Sequence, residues 1–311
     1  MNNLQLYNAD NLEVMATLAD ESIDVICIDP PYLYLKNQKL ERPFDEPKFF
    51  AECKRLLTKK GFIVMFGRGT SFYRWNTILD GLGFVFKEEI IWNKGFSTAP
   101  TLPIQRFHET ISIYTKEKGS INTDVKVPYL EVKQHNIDTL VGDINRIKSA
   151  LNNTKELDFM KEYLKTGHIN ISKKRNDKTS GCTISKNSIG IFSIPTMCLK
   201  AIKEGMRESS IIKVYYERFN RLHPTQKPVR LLERLLALVI PKDKPRNEIV
   251  VADFFAGSMS CMEAVHNMGM RGIATEIDEE YFEKGKQRID KLTNLLISKS
   301  ANGYSNQKRF I

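Results

Sequence analysis

The chain has 311 residues, of which 41% are hydrophobic and 27% charged, so its length suits two domains or one large domain with an insert. This composition excludes a disordered chain, a collagen and a coiled coil as the main structure. Lys and Arg number 47 against 37 Asp and Glu, and the formal charge of +10 favours a polyanionic partner such as nucleic acid, although many proteins are mildly basic.

No apolar run approaches the roughly 18 residues that a membrane span needs, and the first residues lack the features of a secretion signal. The five cysteines are widely spaced and form no C-x-x-C pair, which argues against a disulfide framework and against a zinc site. These features predict a cytoplasmic protein with no membrane partner and no bound metal.

Short apolar runs alternate with amphipathic segments towards both ends of the chain. In the first part the pattern predicts strand 23–29, helix 49–57, strand 62–67, helix 71–82, and strands 84–92 and 110–115. In the last part it predicts helix 228–240, strand 248–253, helix 258–268, strand 271–276 and helix 278–297. This alternation is typical of βαβ units, so the predicted fold is α/β, with a Rossmann-like, doubly wound and mostly parallel sheet.

The middle of the chain, residues 117–222, differs from the rest in its charge. It carries a net charge of +7, whereas all other residues together carry +3. Residues 145–165 are predicted to be helical, and the polar stretch 170–187 is predicted to be a mobile loop. Its densest basic cluster, Lys173-Lys174-Arg175, either contacts phosphates or is a solvated run of surface charge.

The sharpest local motif is Asp29-Pro30-Pro31-Tyr32, directly at the end of a predicted buried strand. Ligands of open α/β sheets bind beyond the carboxyl ends of the strands. A carboxylate and the rigid Pro30 carbonyl together accept two hydrogen bonds, and Tyr32 offers a flat ring. The set therefore suits an exocyclic amino group on an aromatic ring, whereas a bare Asp-Pro-Pro would be read as a strand-end turn.

Two later segments suit a second ligand. In the D-F-F-A-G-S segment at 253–258, Gly257 allows close backbone approach, and the following helix presents its first N–H groups. Glu276 follows Asp253 by 23 residues, near the spacing at which an acidic side chain meets ribose hydroxyls. Asp278 is the alternative for the ribose, and it is equally placed to cap the next helix.

The H-P-T-Q-K-P segment at 223–228 precedes a predicted helix. Thr225 and Lys227 point into the same crevice if that helix packs beside the strand at 248–253. Otherwise the segment is only a turn that begins the helix.

Taken in chain order, the motifs resemble those of the S-adenosylmethionine-dependent DNA amino-methyltransferases in their permuted, β-class arrangement. In that family the D-P-P-Y motif comes first, then the target-recognition region, then the cofactor loop. The resemblance covers about residues 4–116 and 221–297, and further matching segments lie at 91–94, 108–114 and 276–282. The chain departs from the family at Met259, where the usual G-S-G-T has its second glycine.

The resemblance implies a catalytic half at 1–116, a basic target-recognition insert at 117–222, an S-adenosylmethionine-binding half at 223–298 and a tail at 299–311. The implied catalytic residues are Asp29, Pro30, Pro31 and Tyr32. The implied cofactor-binding residues are Asp10, Thr225, Lys227, Pro228, Asp253, Phe255, Gly257, Ser258, Glu276 and Asp278. Asp10 is equally a candidate cap for a helix that begins before Leu12.

The implied reaction is methyl transfer to N6 of adenine in a specific DNA sequence, since the family's adenine-specific members carry D-P-P-Y rather than S-P-P-Y. The alternatives are cytosine N4, adenine in RNA, or a non-catalytic relative that only binds nucleic acid. Expected partners are DNA, a second copy of the chain and a cognate restriction endonuclease. Expected DNA contacts are Lys173, Lys174 and Arg175, with Arg106 and His108 near the catalytic half.

Overall fold

The computed structural model describes residues 3–33, 41–97, 103–151, 194–216 and 222–301. The chain divides into two compact units. The larger unit comprises Met1–Val125 and Glu208–Phe310, and the smaller unit is Lys126–Arg207. The smaller unit contains fewer residues than the insert predicted at 117–222, because it begins later and ends earlier in the sequence.

Ten strands are described, two of which belong to the smaller unit. In chain order they are β1 (Leu4–Tyr7), β2 (Ile23–Ile28), β3 (Leu57–Gly67), β4 (Val85–Asn93), β5 (His108–Thr115), β6 (Lys126–Val127), β7 (Met206–Arg207), β8 (Ile211–Lys213), β9 (Val250–Asp253) and β10 (Arg271–Thr275).

Nine α-helices are described. They are α1 (Asn11–Thr17), α2 (Glu46–Leu56), α3 (Gly69–Gly81), α4 (Tyr129–Val132), α5 (Ile137–Leu151), α6 (Ile194–Glu204), α7 (Val229–Val239), α8 (Ser260–Asn267) and α9 (Glu279–Ala301). Among the residues with described structure, no helix is both long enough and apolar enough to cross a membrane.

The larger unit is built on one eight-stranded sheet with the order β1-β10-β9-β2-β3-β5-β4-β8. The first five of these strands are mutually parallel, and β8 runs parallel to β4. Strand β5 is antiparallel to both of its neighbours, β3 and β4. The beginning of β5 therefore lies at the same edge of the sheet as the carboxyl ends of β2, β3 and β4.

Strand β2 shows why the sheet is covered on both faces. All six of its residues are buried, and its alternate side chains enter two different cores. Val25 and Cys27 belong to the core that contains α7 and α8, whereas Ile26 and Ile28 belong to the core that contains α2 and α3. Full burial of such side chains contributes about 1.5–3 kcal/mol each, which favours a central strand.

The predicted α/β fold with a mostly parallel sheet is confirmed. Each predicted strand and helix of the first and last parts has its counterpart within a few residues. The sequence patterns did not indicate β1 or β8, whereas α1 corresponds to the helix for which Asp10 was a candidate cap. The helix predicted at 145–165 instead begins at Ile137 and is described to Leu151, and the loop predicted at 170–187 lies outside the described residues.

The smaller unit contains α4, α5, α6 and the antiparallel pair β6–β7. Its polar centre is the buried carboxylate of Asp143. That carboxylate accepts a hydrogen bond from the Tyr129 hydroxyl at 2.6 Å and lies 3.2 Å from Lys133 Nζ and 2.5 Å from Arg146 Nη1. A buried carboxylate with this many donors fastens α4 to α5.

Candidate active site

One cavity lies at the carboxyl edge of the sheet in the larger unit. It contains about 1260 Å³ of empty space, part of it open to solvent. Its walls come from the segments that follow β2, β9 and β10, and from the segment that precedes α7. This is the edge at which α/β sheets bind their ligands. The cavity brings together both groups of predicted site residues, catalytic and cofactor-binding.

Asp29 lines this cavity directly after β2, whereas Glu276 lines it directly after β10, which is two strands away in the sheet. We call these two sides of the cavity the Asp29 end and the Glu276 end. Its Oδ1 accepts a hydrogen bond from the Tyr32 hydroxyl at 2.6 Å, and its Oδ2 accepts one from Lys227 Nζ at 2.5 Å. Pro30 and Pro31 also line the cavity. The carbonyl of Tyr32 accepts a hydrogen bond from Ser71 Oγ in α3 at 2.7 Å, which fastens the motif to the body of the sheet.

Lys227 connects Asp29 to a buried charge network. Its Nζ also lies 2.9 Å from Glu109 Oε2, and Lys94 Nζ lies 2.5 Å from Glu109 Oε1. The side chains of Lys227 and Lys94 are 9% and 8% exposed, so the ion pairs are shielded from water. Two cations and two anions balance the charge, which limits the cost of burying four ionised groups.

The charges in this network set its protonation. Burial raises the pKa of Asp29, and Lys227 opposes that rise. Burial likewise disfavours ionised Glu109, but Lys227 and Lys94 outweigh it and lower the pKa of Glu109 to about 2. Burial would lower the pKa of Lys227, but Asp29 and Glu109 raise it above its ordinary value. The lysine is therefore a permanent cation beside the Asp29 carboxylate.

The direction of β5 explains how Glu109 reaches this site. Glu109 is the second residue of β5, so it lies at the edge where the parallel strands end. Lys94 directly follows β4 and arrives at the same edge. Both residues lie in segments that match the family, at 91–94 and 108–114, but neither was predicted as a site residue.

Glu276 marks the other end of the cavity, directly after β10. Its Oε2 accepts a hydrogen bond from the Gly257 N–H and its Oε1 accepts one from the Asp278 N–H, both at 2.8 Å. Burial raises the pKa of Glu276, although both backbone donors oppose the rise. The carboxylate thus joins the loop after β9 to the loop after β10.

Asp278 lines the cavity and also caps a helix. It directly precedes α9, and its Oδ1 accepts a hydrogen bond from the Tyr281 N–H at 3.3 Å. Its Oδ2 lies 3.2 Å from an Arg42 guanidinium nitrogen. Asp10 has the same double position, because it lines the cavity while its Oδ1 accepts a hydrogen bond from the Leu12 N–H at 2.9 Å and caps α1.

The loop after β9 presents its backbone to the cavity. Gly257 has a φ of +49°, and a Cβ atom at this residue would lie 3.4 Å from the His223 ring. Asp253 accepts a hydrogen bond from the Phe255 N–H at 3.1 Å, and burial raises the pKa of Asp253 to about 7. Phe255 and Ser258 line the cavity beside them.

Met259 has a φ of 59° and therefore adopts the left-handed backbone conformation. The glycine that the family usually has at this position would adopt this conformation without strain. The Met259 side chain is fully buried and is absent from the residues that line the cavity. It packs instead against Gly285 of α9, where an added Cβ would lie 2.4 Å from Met259 Cγ. The departure from the family's pattern is therefore accommodated behind the loop.

The remaining predicted site residues are placed as follows. Thr225 lines the cavity, and its Oγ1 lies 3.0 Å from His223 Nδ1. Burial and the nearby Lys227 lower the pKa of His223 to about 4. Pro228 is the N-cap residue of α7 and is not among the residues that line the cavity.

Of the predicted DNA contacts, Arg106 is half-buried and His108 is exposed at the start of β5, and neither lines the cavity. Lys173, Lys174 and Arg175 lie outside the described residues.

Comparison with known proteins identifies the family. The family model N6_N4_Mtase, described as DNA methylase, matches residues 23–287. The chain is 23% identical over 309 residues to the type II methyltransferase M.HinfI of Haemophilus influenzae, covering 91% of this chain and 67% of that protein. It is 21% identical over 296 residues to the type II methyltransferase M.BglII of Bacillus subtilis, covering 90% and 67% respectively.

Solved structures share the fold. The M1.HpyAVI–SAM complex superposes with a TM-score of 0.50 at 18% identity, covering 92% of this chain and 99% of that one. The PvuII DNA methyltransferase, described as cytosine-N4-specific, superposes with a TM-score of 0.54 at 14% identity, covering 98% and 96%. Since the family model spans most of the sequence, this chain belongs to the N6/N4 family of DNA methylases, enzymes that use S-adenosylmethionine as their methyl donor, as its motifs predicted.

Proposed function

We propose that this DNA methylase transfers a methyl group from S-adenosylmethionine to N6 of adenine in a specific DNA sequence. One observation carries the proposal: the Asp29 carboxylate and the Tyr32 ring share one cavity with Glu276 and the Gly257 loop. The first pair is suited to an amino group on an aromatic ring, and the second to a nucleoside.

The residues at the Glu276 end fit the methyl donor. Each Glu276 oxygen accepts one backbone hydrogen bond and retains a lone pair for a ribose hydroxyl. Gly257 has no side chain to obstruct the approach of a ligand, and the Asp253 and Asp29 carboxyls suit a cationic sulfonium. S-adenosylmethionine, when bound, supplies an electrophilic methyl carbon whose bonding electron pair stays with sulfur. We assign Asp10, Thr225, Phe255, Ser258 and Asp278 to the walls of the same subsite.

The residues at the Asp29 end hold the target base. Asp29 Oδ1 accepts an N–H of the adenine amino group in place of the Tyr32 hydroxyl, and the Pro30 carbonyl accepts the other. The Tyr32 ring then stacks on the base. The base must leave the duplex to reach this depth, which costs a few kcal/mol of unstacking.

Asp29 also receives the proton that the reaction releases. The nitrogen lone pair forms the new N–C bond, which leaves a positively charged nitrogen with two N–H bonds, one more than the neutral methylamino product has. The N–H that Asp29 already holds is then strongly acidic, so its proton passes to the carboxylate and on to water. Asp29 and Pro30 thereby orient the lone pair before transfer and discharge the product after it.

The base is identified by incubating the protein with S-adenosylmethionine and unmethylated DNA, followed by mass spectrometry of the nucleosides. We expect N6-methyladenine. N4-methylcytosine alone would overturn the adenine assignment, and methylation of RNA alone would overturn the DNA substrate. If no nucleoside is methylated although calorimetry detects binding of S-adenosylmethionine, the proposal fails and the protein is a non-catalytic relative.

Several further assignments belong to this proposal. The basic cluster Lys173-Lys174-Arg175 contacts DNA phosphates, with Arg106 and His108 closer to the catalytic half. Replacing the cluster with glutamines should weaken DNA binding and reduce its dependence on salt concentration, and an unchanged slope would remove it from the interface.

We also assign a second copy of the chain and a cognate restriction endonuclease as partners of this DNA methylase. Sedimentation tests the first partner. For the second, DNA methylated by this protein should resist the endonuclease encoded beside it.

A further inference from the structure

Lys227, the lysine of the H-P-T-Q-K-P segment, contacts the carboxylate of Asp29, although the segment was predicted to bind the cofactor. Lys227 Nζ lies 2.5 Å from Asp29 Oδ2 and 2.9 Å from Glu109 Oε2. It also lies 5.0 Å from the centre of the Phe66 ring and 5.8 Å from that of Trp92. Two carboxylates and two aromatic rings therefore surround one ammonium group and define its position closely.

We propose that Lys227 and Glu109 are positioning residues for methyl transfer: Lys227 holds Asp29 Oδ2 so that ionised Oδ1 faces the target amino group, and Glu109 holds Lys227 in place. The inference rests on the proposed function, because it assigns Asp29 to the amino group. It gives Lys227 and Glu109 a role that is exerted through the Asp29 carboxylate.

The first argument is the cost of this network to the fold. Burying an ion costs several kcal/mol even when it is paired, and well-packed apolar residues often stabilise a protein as much or more. Three charged side chains, Lys227, Glu109 and Lys94, are grouped around the one carboxylate that the reaction needs, and none of the four is more than 20% exposed. If the network served only to stabilise the fold, apolar side chains at these positions would do so at a lower cost in free energy.

The second argument is the chemistry of the carboxylate. If Asp29 were protonated, its O–H would be a hydrogen-bond donor towards the amino group. That oxygen could then neither accept a hydrogen bond from an amino N–H nor take up its proton. Burial favours that unproductive form, and Lys227 opposes it. By occupying Oδ2, the lysine also leaves Oδ1 as the acceptor on the cavity side, where the Tyr32 hydroxyl is now bound.

The third argument is the opposite sign of the two neighbours. Lys227 lowers the pKa of Asp29, whereas Glu109 raises it. The other titratable groups that interact with Asp29 are Tyr32 from its own loop, Glu41 from the segment before α2 and Asp253 from β9. Replacing Lys227 or Glu109 leaves those three in place, so the two replacements should shift the titration of Asp29 in opposite directions.

The test is the pH profile of kcat at saturating S-adenosylmethionine and DNA. In Lys227→Met we expect kcat near neutral pH to fall about 100-fold, with the acid limb moved to higher pH and part of the loss recovered as the pH rises. In Glu109→Gln we expect the acid limb to move to lower pH and kcat to stay within about tenfold of wild type. Lys227→Arg should restore part of the activity.

The matched control is Lys244→Met. Lys244 Nζ lies 2.7 Å from the buried carboxylate of Asp24, at the opposite end of β2 from Asp29. Neither residue lines the cavity. This variant also loses an ion pair between a lysine and an aspartate, although Lys244 is 32% exposed, so it should lower stability without moving the pH profile of kcat.

The outcomes separate this inference from the proposed function. Wild-type protein that yields no N6-methyladenine refutes the function. If the wild type is active and Lys227→Met keeps its kcat and pH profile while KM for S-adenosylmethionine rises, the inference is overturned and Lys227 is a cofactor residue. Should Lys227→Met fail to fold, Glu109→Gln decides, because an unmoved acid limb or a shift to higher pH contradicts the proposed arrangement.

Discussion

The two ends of the cavity hold their key carboxylates in different ways. Asp29 is held by side chains, the Tyr32 hydroxyl and the Lys227 ammonium. Glu276 is held by backbone, the N–H groups of Gly257 and Asp278. A side chain can exchange its partner when a substrate arrives, whereas a backbone donor moves only if its loop moves. The Asp29 end can therefore rearrange its hydrogen bonds during the reaction, whereas the Glu276 end is suited to bind a ligand of one fixed shape.

The two ends also differ in charge. At the Asp29 end, lysines balance the acids, and the network is neutral. At the other end Asp253, Glu276 and Asp278 gather close to one another, with Arg42 pairing with Asp278. Burial keeps the pKa values of Asp253 and Glu276 raised. The excess of acid at this end complements a cationic donor, and the balance at the other end suits a neutral base.

The largest effect that tests this comparison is expected at Asp29. Asp29→Ala removes the acceptor for the amino group and should lower kcat about 1000-fold, while calorimetry should still detect binding of S-adenosylmethionine. Asp24→Asn is the matched control, because Asp24 is a buried acid of β2, the strand that Asp29 follows, and it does not line the cavity. Its kcat should stay near wild type. Substantial activity in Asp29→Ala would remove Asp29 from the reaction.

At the backbone-held end the loss should appear in binding. Glu276→Ala removes the acceptor for two N–H groups and should weaken S-adenosylmethionine binding about 10- to 100-fold by calorimetry. At saturating donor, kcat should largely recover. Glu276→Gln, which retains one acceptor oxygen, should lose less. A fall in kcat with unchanged donor affinity would contradict the division of labour between the two ends.

Tyr32 tests whether a side-chain partner is exchangeable. Tyr32→Ala removes the stacking surface and should lower kcat/KM for DNA about 10- to 100-fold. Tyr32→Phe keeps the ring and loses only the hydroxyl that occupies Asp29 Oδ1, so its kcat/KM should stay within a few-fold of wild type. Equal losses in both variants would mean that the hydroxyl, and not the ring, is what the reaction uses.

Asp253 predicts a pH dependence of stability. Its folded pKa, about 7, lies above the ordinary value of 3.8, so the folded state binds the proton more tightly than the unfolded chain. Stability from this group is complete below about pH 4 and is lost towards pH 7, at up to about 1.4 kcal/mol per pH unit.

Urea unfolding of wild type and Asp253→Asn at several pH values measures this contribution. The variant should gain stability relative to wild type as the pH rises through that window. A constant difference between the two proteins would show that Asp253 titrates normally.

The smallest effect is expected at Met259. Met259→Gly relieves about 1–2 kcal/mol of left-handed strain and loses about 1.5–3 kcal/mol of side-chain burial, so a net destabilisation of about 1 kcal/mol is expected by urea unfolding. Gly285→Ala should destabilise wild type more than it destabilises Met259→Gly, because the added Cβ meets Met259 Cγ. Additive effects would contradict that contact.

Much of the fold could be predicted because its central strands are apolar and bounded by turn residues. Ile23–Ile28 is a short and mostly apolar run that ends one residue before two prolines, and this length with a following turn signal favours a buried strand. Leu4–Tyr7 and Ile211–Lys213 are too short to show any periodicity. They are strands because a neighbouring strand offers them hydrogen bonds, which depends on the tertiary structure.

The site was predictable wherever one motif carries the chemistry within a few residues. Asp29 and Tyr32 are three residues apart, and Glu276 and Asp278 only two. The ion pair between Lys227 and Asp29 joins residues 198 positions apart, so no local sequence pattern can predict it. Glu109 was missed for the same reason, since only the antiparallel direction of β5 brings it to the reactive edge.

The position of β2 in the sheet has a consequence for synthesis on the ribosome. Its neighbour β3 follows soon after it, but its other neighbour, β9, is made more than 200 residues later. At translation rates of roughly 5–20 residues per second, the β9 side of this apolar strand stays unpaired for on the order of ten seconds or more. The central strand of the mature enzyme is thus an exposed edge of the nascent chain, and chaperones have that interval in which to cover it.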